Sequence, residues 1–191
     1  MSLPHALLGL LQYKPAPGYE LKQTFTRSIY FFWNATLPQI YRTLGDMEGK
    51  GWLTVTVEHQ DGKPSRKVYQ VTQAGNEEFQ RWLREPLDIP QYRVPMLIKV
   101  FFGNQMKRDE FVEHLHRWRQ HHAELLERYE KEVVPIIQYH ARASAAFEDA
   151  RYWALTLDFG RRQAKMIIEW CDATLAALSK GKRRNQSPKA S

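Results

Sequence analysis

The chain has 191 residues, enough for one large domain or two small ones, and a formal charge of +7 from 28 Lys and Arg against 21 Asp and Glu. With 43% hydrophobic and 13% aromatic residues a packed core is expected, which excludes a wholly disordered chain. The lone Cys171 excludes an internal disulfide and a cysteine-built zinc site. No apolar run approaches the roughly 20 residues of a membrane span, and Met1-Ser2-Leu3-Pro4-His5 lacks the features of an export signal, so a soluble, cytoplasmic protein is expected.

Leu3 to Leu11 is an apolar segment that reads as a short buried helix, ended by the proline-rich loop Lys14-Pro15-Ala16-Pro17-Gly18. A second helix follows from Gly18, with Leu21 and Phe25 on one face. The run Ile29-Tyr30-Phe31-Phe32-Trp33 is expected to plug the core as a loop or helical turn. Thr36-Leu37-Pro38-Gln39 has the pattern of a capping box with proline in the first turn, so a third helix starts there. Leu37, Ile40, Leu44 and Met47 form its expected buried stripe, Gln39, Arg42, Thr43 and Asp46 its solvent face, and Tyr41 lies between them. After Gly49 and Gly51 the period changes. Leu53, Val55 and Val57 alternate with polar residues as in a half-buried strand, Asp61-Gly62 turns the chain, and Lys67 to Val71 returns. Thr72 opens a fourth helix through Phe79, Trp82 and Leu83 that stops before Pro86.

This order is that of a winged helix-turn-helix, giving a fold that is mainly α with a small β-hairpin. The third helix has a polar face suited to a major groove, and Gly62-Lys63-Pro64-Ser65-Arg66-Lys67 makes a cationic wing tip. Charge outside this tip is a weaker guide: residues 1 to 86 carry a net +2, residues 87 to 179 carry zero, and a basic tail from 180 to 191, expected to be disordered, carries +5. Gly18-Tyr19, Tyr41-Arg42-x-Leu44 and the run Gly62-Lys63-Pro64-x-Arg66-Lys67-Val68-Tyr69-x-x-Thr72-x-Ala74-Gly75 resemble the DNA-binding domain of the PadR family of bacterial transcriptional regulators, in its AphA-like branch. The resemblance implies a homodimeric regulator of double-stranded DNA with a helical C-terminal dimerisation domain. The chain departs from that branch at Leu37-Pro38, where polar residues are usual. In this reading Gln39, Arg42 and Thr43 meet base edges or adjacent backbone, Tyr19, Asn34, Thr36 and Tyr41 lie near phosphates, and Lys63, Arg66 and Lys67 anchor the wing. A palindromic operator is expected if both subunits engage. The competing reading is a winged-helix protein–protein interaction module, disfavoured by the polar third helix.

The domain division expected is 1–86 for the winged helix, 87–179 for dimerisation and 180–191 for the tail. Met96 to Phe102 reads as a core helix. Phe111, Leu115, Trp118, His122, Leu125 and Tyr129 step by four and three, a coiled-coil spacing that Pro135 is expected to break. The final helix, from about Phe147 to Leu178, carries Tyr152, Leu155, Phe159, Met166, Trp170 and Leu175, and a partner subunit is the expected cover for these stripes. Phe111, Leu115, Trp118, Leu125, Tyr129, Leu155, Phe159, Met166 and Trp170 are therefore the candidate dimer residues. His114, His116, His121 and His122 lack the further ligands a metal site needs, and no cofactor is implied. Trp118, Trp153 and Trp170 are either core or the lining of a pocket for a small aromatic effector, which relatives in the PadR family suggest. No phosphate-cradling glycine loop, GxSxG turn, HExxH or paired-carboxylate motif marks an enzyme.

Overall fold

The computed structural model describes residues 3–60, 62–87, 91, 93–142 and 147–184, excepting the side chains of 60, 63, 64 and 180–184. The chain divides into two compact units, Met1–Ile89 and Pro90–Ser191. Among the described residues, no helix is long and apolar enough to cross a membrane.

The first unit runs α1 (Leu3–Leu11), β1 (Ala16–Pro17), α2 (Gly18–Arg27), a 3-10 turn (Ile29–Phe31), α3 (Leu37–Gly49), β2 (Leu53–Gln60), β3 (Lys63–Val71) and α4 (Gln73–Arg84). Leu7, Leu8, Leu21, Phe25, Ile40, Leu44, Met47, Leu53 and Tyr69 form its core. The capping box at the start of α3 is made: Thr36 Oγ1 accepts from the Gln39 N–H, and Gln39 Oε1 accepts from the Thr36 N–H at 2.8 Å. At the other end, Gly51 has φ +73° and donates to Glu48 O, while the Trp52 N–H reaches Met47 O. This pairing closes the helix with a left-handed residue and aims the chain into β2. Thr72 caps α4 by accepting from the Gly75 N–H at 3.1 Å and donates its hydroxyl to Gly51 O at 2.6 Å. Gly75 has no room for a side chain, since a Cβ there would lie 2.2 Å from Trp52 O.

Three sequence expectations change in this unit. The sheet has three strands in the order β1-β3-β2, all neighbours antiparallel, because Ala16 and Pro17 pair with Tyr69 and Val68 in what reads as a proline loop. β3 starts at Lys63 rather than Lys67, so most of the wing tip is strand. Pro64 fits because β1 pairs only with Val68 and Tyr69, leaving β3 without a second neighbour at Pro64, and the β2 ladder is irregular between Glu58 and Gln60. Finally, Ile29 and Tyr30 are half-buried against the core, but Phe32 and Trp33 are exposed, so the aromatic run is only partly a plug. Of the expected turn, Gly62 has φ +71°, and Asp61 lies outside the described residues.

The second unit comprises α5 (Pro95–Phe101), a 3-10 turn (Gly103–Gln105), α6 (Arg108–Arg128), a π-helical turn (Tyr129–Val133), α7 (Val134–Arg142) and α8 (Phe147–Arg184). Pro135 does not break the chain direction. The π-helical turn precedes it, with the Val134 N–H bonded to Tyr129 O, and α7 follows without a gap, so the proline lies within one helical run. The stripe of α6 packs on α8 of the same chain: Phe111 and Leu115 are buried with Ile167 and Cys171, and Trp118 meets Trp170 edge to face at 5.7 Å. Arg119 clamps Asp172 through two bonds of 2.6 and 3.1 Å. Tyr129 is buried, and its hydroxyl would lie 2.7 Å from a Cβ at Gly160, so α8 needs glycine at that crossing. Burial pushes the Cys171 thiol up, away from reactivity. The backbone of α8 continues to Arg184, past the expected end near Leu178, and the rest of the expected tail, 185–191, lies outside the described residues.

Candidate nucleic-acid interface

The exposed face of α3 follows from its buried one. Ile40, Leu44 and Met47 are sealed in the core, which at 100° per residue turns Pro38, Arg42, Gly45 and Asp46 outward, with Gln39 and Thr43 on one flank and Leu37 and Tyr41 on the other. Gln39, Arg42 and Asp46 are exposed and Thr43 is half-buried. Leu37 departs from its expected place in the buried stripe: it is 42% exposed, because it opens α3 and has no preceding turn of the helix beside it.

α3 is tied to the wing through α2. The Tyr41 ring lies on Gly18, where a Cβ would sit 2.4 Å from Tyr41 Cε1, so glycine is required for the approach. The adjacent Tyr19 donates to Glu20 at 3.1 Å and accepts from Arg66 Nη1 at 3.5 Å. Lys22 donates to Ala35 O at 3.0 Å and lies over the Tyr30 ring at 5.4 Å, pinning the loop that leads into Thr36. Tyr19, Asn34, Thr36, Gln39, Tyr41 and Arg42 are each exposed.

The wing cations are not equivalent. Arg66 binds Glu58 through Nε at 2.7 Å and lies 3.8 Å from Glu20, which also receives Lys14 at 3.6 Å. Hydrogen bonds to Glu58 and then Tyr19 hold the Arg66 guanidinium above its ordinary range. Its charge is therefore met inside the unit, and Arg66 is a strut between wing and α2 more than a free anchor. Lys67 is exposed, and neither it nor Arg42 enters an ion pair among the described residues. The backbone of Lys63 opens β3, while its side chain lies outside the description. The sequence reading missed Glu20 and Glu58 as partners of Arg66. The hairpin turn was the available signal, since it places Glu58 opposite Arg66. It also missed His59, whose Nδ1 lies 2.8 Å from Ser65 Oγ across the wing.

The candidate dimer residues divide into three groups. Phe111, Leu115 and Tyr129 are buried within their own unit, and Leu115 has no surface left to offer a partner. Trp118, Leu125 and Trp170 are half-buried. Leu155, Phe159 and Met166 are exposed along α8, and Tyr152, outside the candidate set, precedes them in the same exposed run, at spacings of three, four and seven. Leu97, Ile98 and Phe101 of α5, and Phe102 just after it, are also exposed, so that helix has one covered face, through Met96 and Val100, and is not a core helix within the chain. The three tryptophans do not line one pocket: Trp153 meets His140 at 5.4 Å and lies 17 residues, about 25 Å, before Trp170 on α8. Among the described residues no three His, Cys, Asp or Glu side chains come together as a metal site.

Residues 7–81 match the model of the PadR-like family of transcriptional regulators, and residues 92–179 match that of the virulence activator alpha C-terminal domain. A probable transcriptional regulator of Mycobacterium tuberculosis is 48% identical over 87 residues, 46% of this chain and 46% of the relative, so the match spans about half of that protein's length. The negative transcriptional regulator PadR of Bacillus subtilis is 27% identical over 183 residues, 93% of this chain and 98% of the relative. Its crystal structure in complex with operator DNA shares the fold, with a TM-score of 0.77 at 24% identity over 93% of this chain and 99% of that one. The virulence activator AphA of Vibrio cholerae has a TM-score of 0.74 at 27% identity, covering 94% of this chain and 99% of its own.

Proposed function

We propose that the chain is a transcriptional regulator of the PadR-like type with a virulence-activator type of C-terminal domain, a reading supported by the two domain matches and the full-length relatives, and that it acts in the cytoplasm as a homodimer that binds a palindromic duplex site through the winged-helix surface. The observation that carries this reading is α3. Its core side is sealed, its N-terminus is fixed by a closed capping box, and its outward side offers Gln39, Arg42, Thr43 and Asp46 beside a wing carrying Lys67. A rigid polar helix of this length fits a groove about 12 Å wide. Arg42 supplies a forked donor for guanine O6 and N7, and Lys67, with Lys63, supplies charge for phosphate. Tyr19, Asn34, Thr36 and Tyr41 border the same surface and take the flanking backbone contacts.

The proposed self-association rests on the uncovered stripe Tyr152, Leu155, Phe159 and Met166 of α8, which spacing suits to a second copy. A small aromatic effector belongs to the same proposal. The Bacillus subtilis PadR structure is described in complex with p-coumaric acid, and in this chain the Trp118 and Trp170 pair is the half-buried aromatic surface to which such a ring would be added. Selection of bound fragments from a random duplex library, with sedimentation of the full chain, tests the reading. A two-fold symmetric motif bound by a dimer, and lost with Arg42→Ala, is expected. A monomer, or selection of no motif, overturns it.

A further inference from the structure

The end of α3 that enters the groove in a helix-turn-helix is its N-terminal turn, and in this chain that turn is poor in free polar groups. Thr36 Oγ1 accepts from the Gln39 N–H and donates to Gln39 Oε1 at 3.0 Å, and the same Oε1 accepts from the Thr36 backbone. Gln39 Oε1 thus takes two bonds within the cap, and the Thr36 hydroxyl gives its one proton to it. Pro38, second in the helix, has no N–H to give. What remains is the amide NH2 of Gln39 and one large apolar side chain, Leu37. In a helix the Cα–Cβ bond tilts toward the N-terminus, so the first residue projects its side chain past the opening turn. Leu37 is 42% exposed while Ile40, Leu44 and Met47 of the same stripe are at most 1% exposed. The fold leaves much of this leucine in water, at the leading end of the helix.

Among the groups that base pairs present in the major groove, the thymine C5-methyl is the apolar one. We propose that Leu37 is a specificity-determining residue that reads thymine by packing on its C5-methyl, in place of a hydrogen-bonding reader. The inference rests on the proposed DNA-binding function and deepens it. It assigns apolar readout to the leading turn of α3 and leaves hydrogen-bonded readout to Arg42, five residues further along on the outward side.

The test uses the full chain and the tightest duplex recovered from a random library, with each thymine in turn replaced by deoxyuridine, which deletes the methyl and keeps the pairing. Burying one methyl is worth about a fourfold change in affinity. One thymine in each half-site should therefore lose about fourfold on replacement with the natural chain, and lose nothing further with Leu37→Ala. Leu37→Met, which keeps an apolar reach, should retain sensitivity at the same thymine. Thermal melting checks that both variants stay folded. Binding with no uridine-sensitive thymine, or equal sensitivity in Leu37→Ala, overturns the role of Leu37 while leaving DNA binding intact. Failure to bind any duplex overturns both this inference and the function on which it rests.

Discussion

Gly45 lies inside α3 between the buried Leu44 and the exposed Asp46, and a Cβ built on it meets nothing within 4 Å. Glycine within a helix costs about 0.8–1.0 kcal/mol relative to alanine, and here no clash opposes the gain. Gly45→Ala should therefore stabilise the winged-helix unit by about 1 kcal/mol, a rise of about 4–8 °C in Tm for a unit of that size. The same position sits on the outward face proposed to seat against base edges. An added methyl there holds the backbone off the groove, and losing one contact of roughly 1.4 kcal/mol corresponds to about tenfold in Kd. Thermal melting of the full chain reads the first quantity, and fluorescence anisotropy on the selected duplex reads the second. The two effects have opposite signs, so loss of fold cannot imitate loss of contact. A fall in Tm refutes the open space around Gly45, and a raised Tm with unchanged affinity refutes the placement of this face against DNA.

Gly18→Ala should destabilise the winged-helix unit by about 1–3 kcal/mol, since its Cβ would overlap Tyr41 Cε1 at 2.4 Å; Tyr41→Ala should recover part of that loss in a double-mutant cycle, and strict additivity would contradict the contact. Lys67→Ala should reduce the slope of log affinity against log salt by about one, whereas Arg66→Ala, already paired with Glu58, should reduce it less; equal reductions would contradict the strut assignment. Glu78 is held at about 2 instead of 4.5, first by Arg81 and then by His5. Its ionised form is favoured by the fold, so the stability it contributes is present above pH 4.5 and is lost as pH falls toward about 2. Acid unfolding of Glu78→Gln should lack that component, and an unchanged acid profile would contradict it.

What the sequence made legible was local. The capping box at Thr36, the glycine closing α3, the alternation of Leu53, Val55 and Val57, and the start of α4 at Thr72 each depend on residues a few positions apart. What it concealed depends on distant partners. Ala16 and Pro17 are a strand only because Tyr69 and Val68 lie beside them, and nothing in Lys14-Pro15-Ala16-Pro17 announces that pairing. The apolar stripe of α6 is visible in the spacing, but periodicity does not distinguish a partner's helix from α8 of the same chain, which covers Phe111 and Leu115. The cations of the wing read alike in sequence, and only the cross-strand register shows that Arg66 faces Glu58 while Lys67 remains unpaired among the described residues. Leu37 fitted the buried stripe by spacing. Its exposure comes from where the helix begins, which a periodicity count does not weigh.

The winged-helix surface of this chain is proposed to bind duplex DNA through charge and groove contacts together. The most direct measurement is the affinity of the full chain for a labelled duplex across a salt series, with a neutral polymer as control. Tight binding at low ionic strength is expected, falling linearly on logarithmic axes with a slope of several phosphates, with a weaker, shallower line for the Arg42→Ala and Lys67→Ala pair. Affinity at low salt no greater than for the neutral control would contradict it.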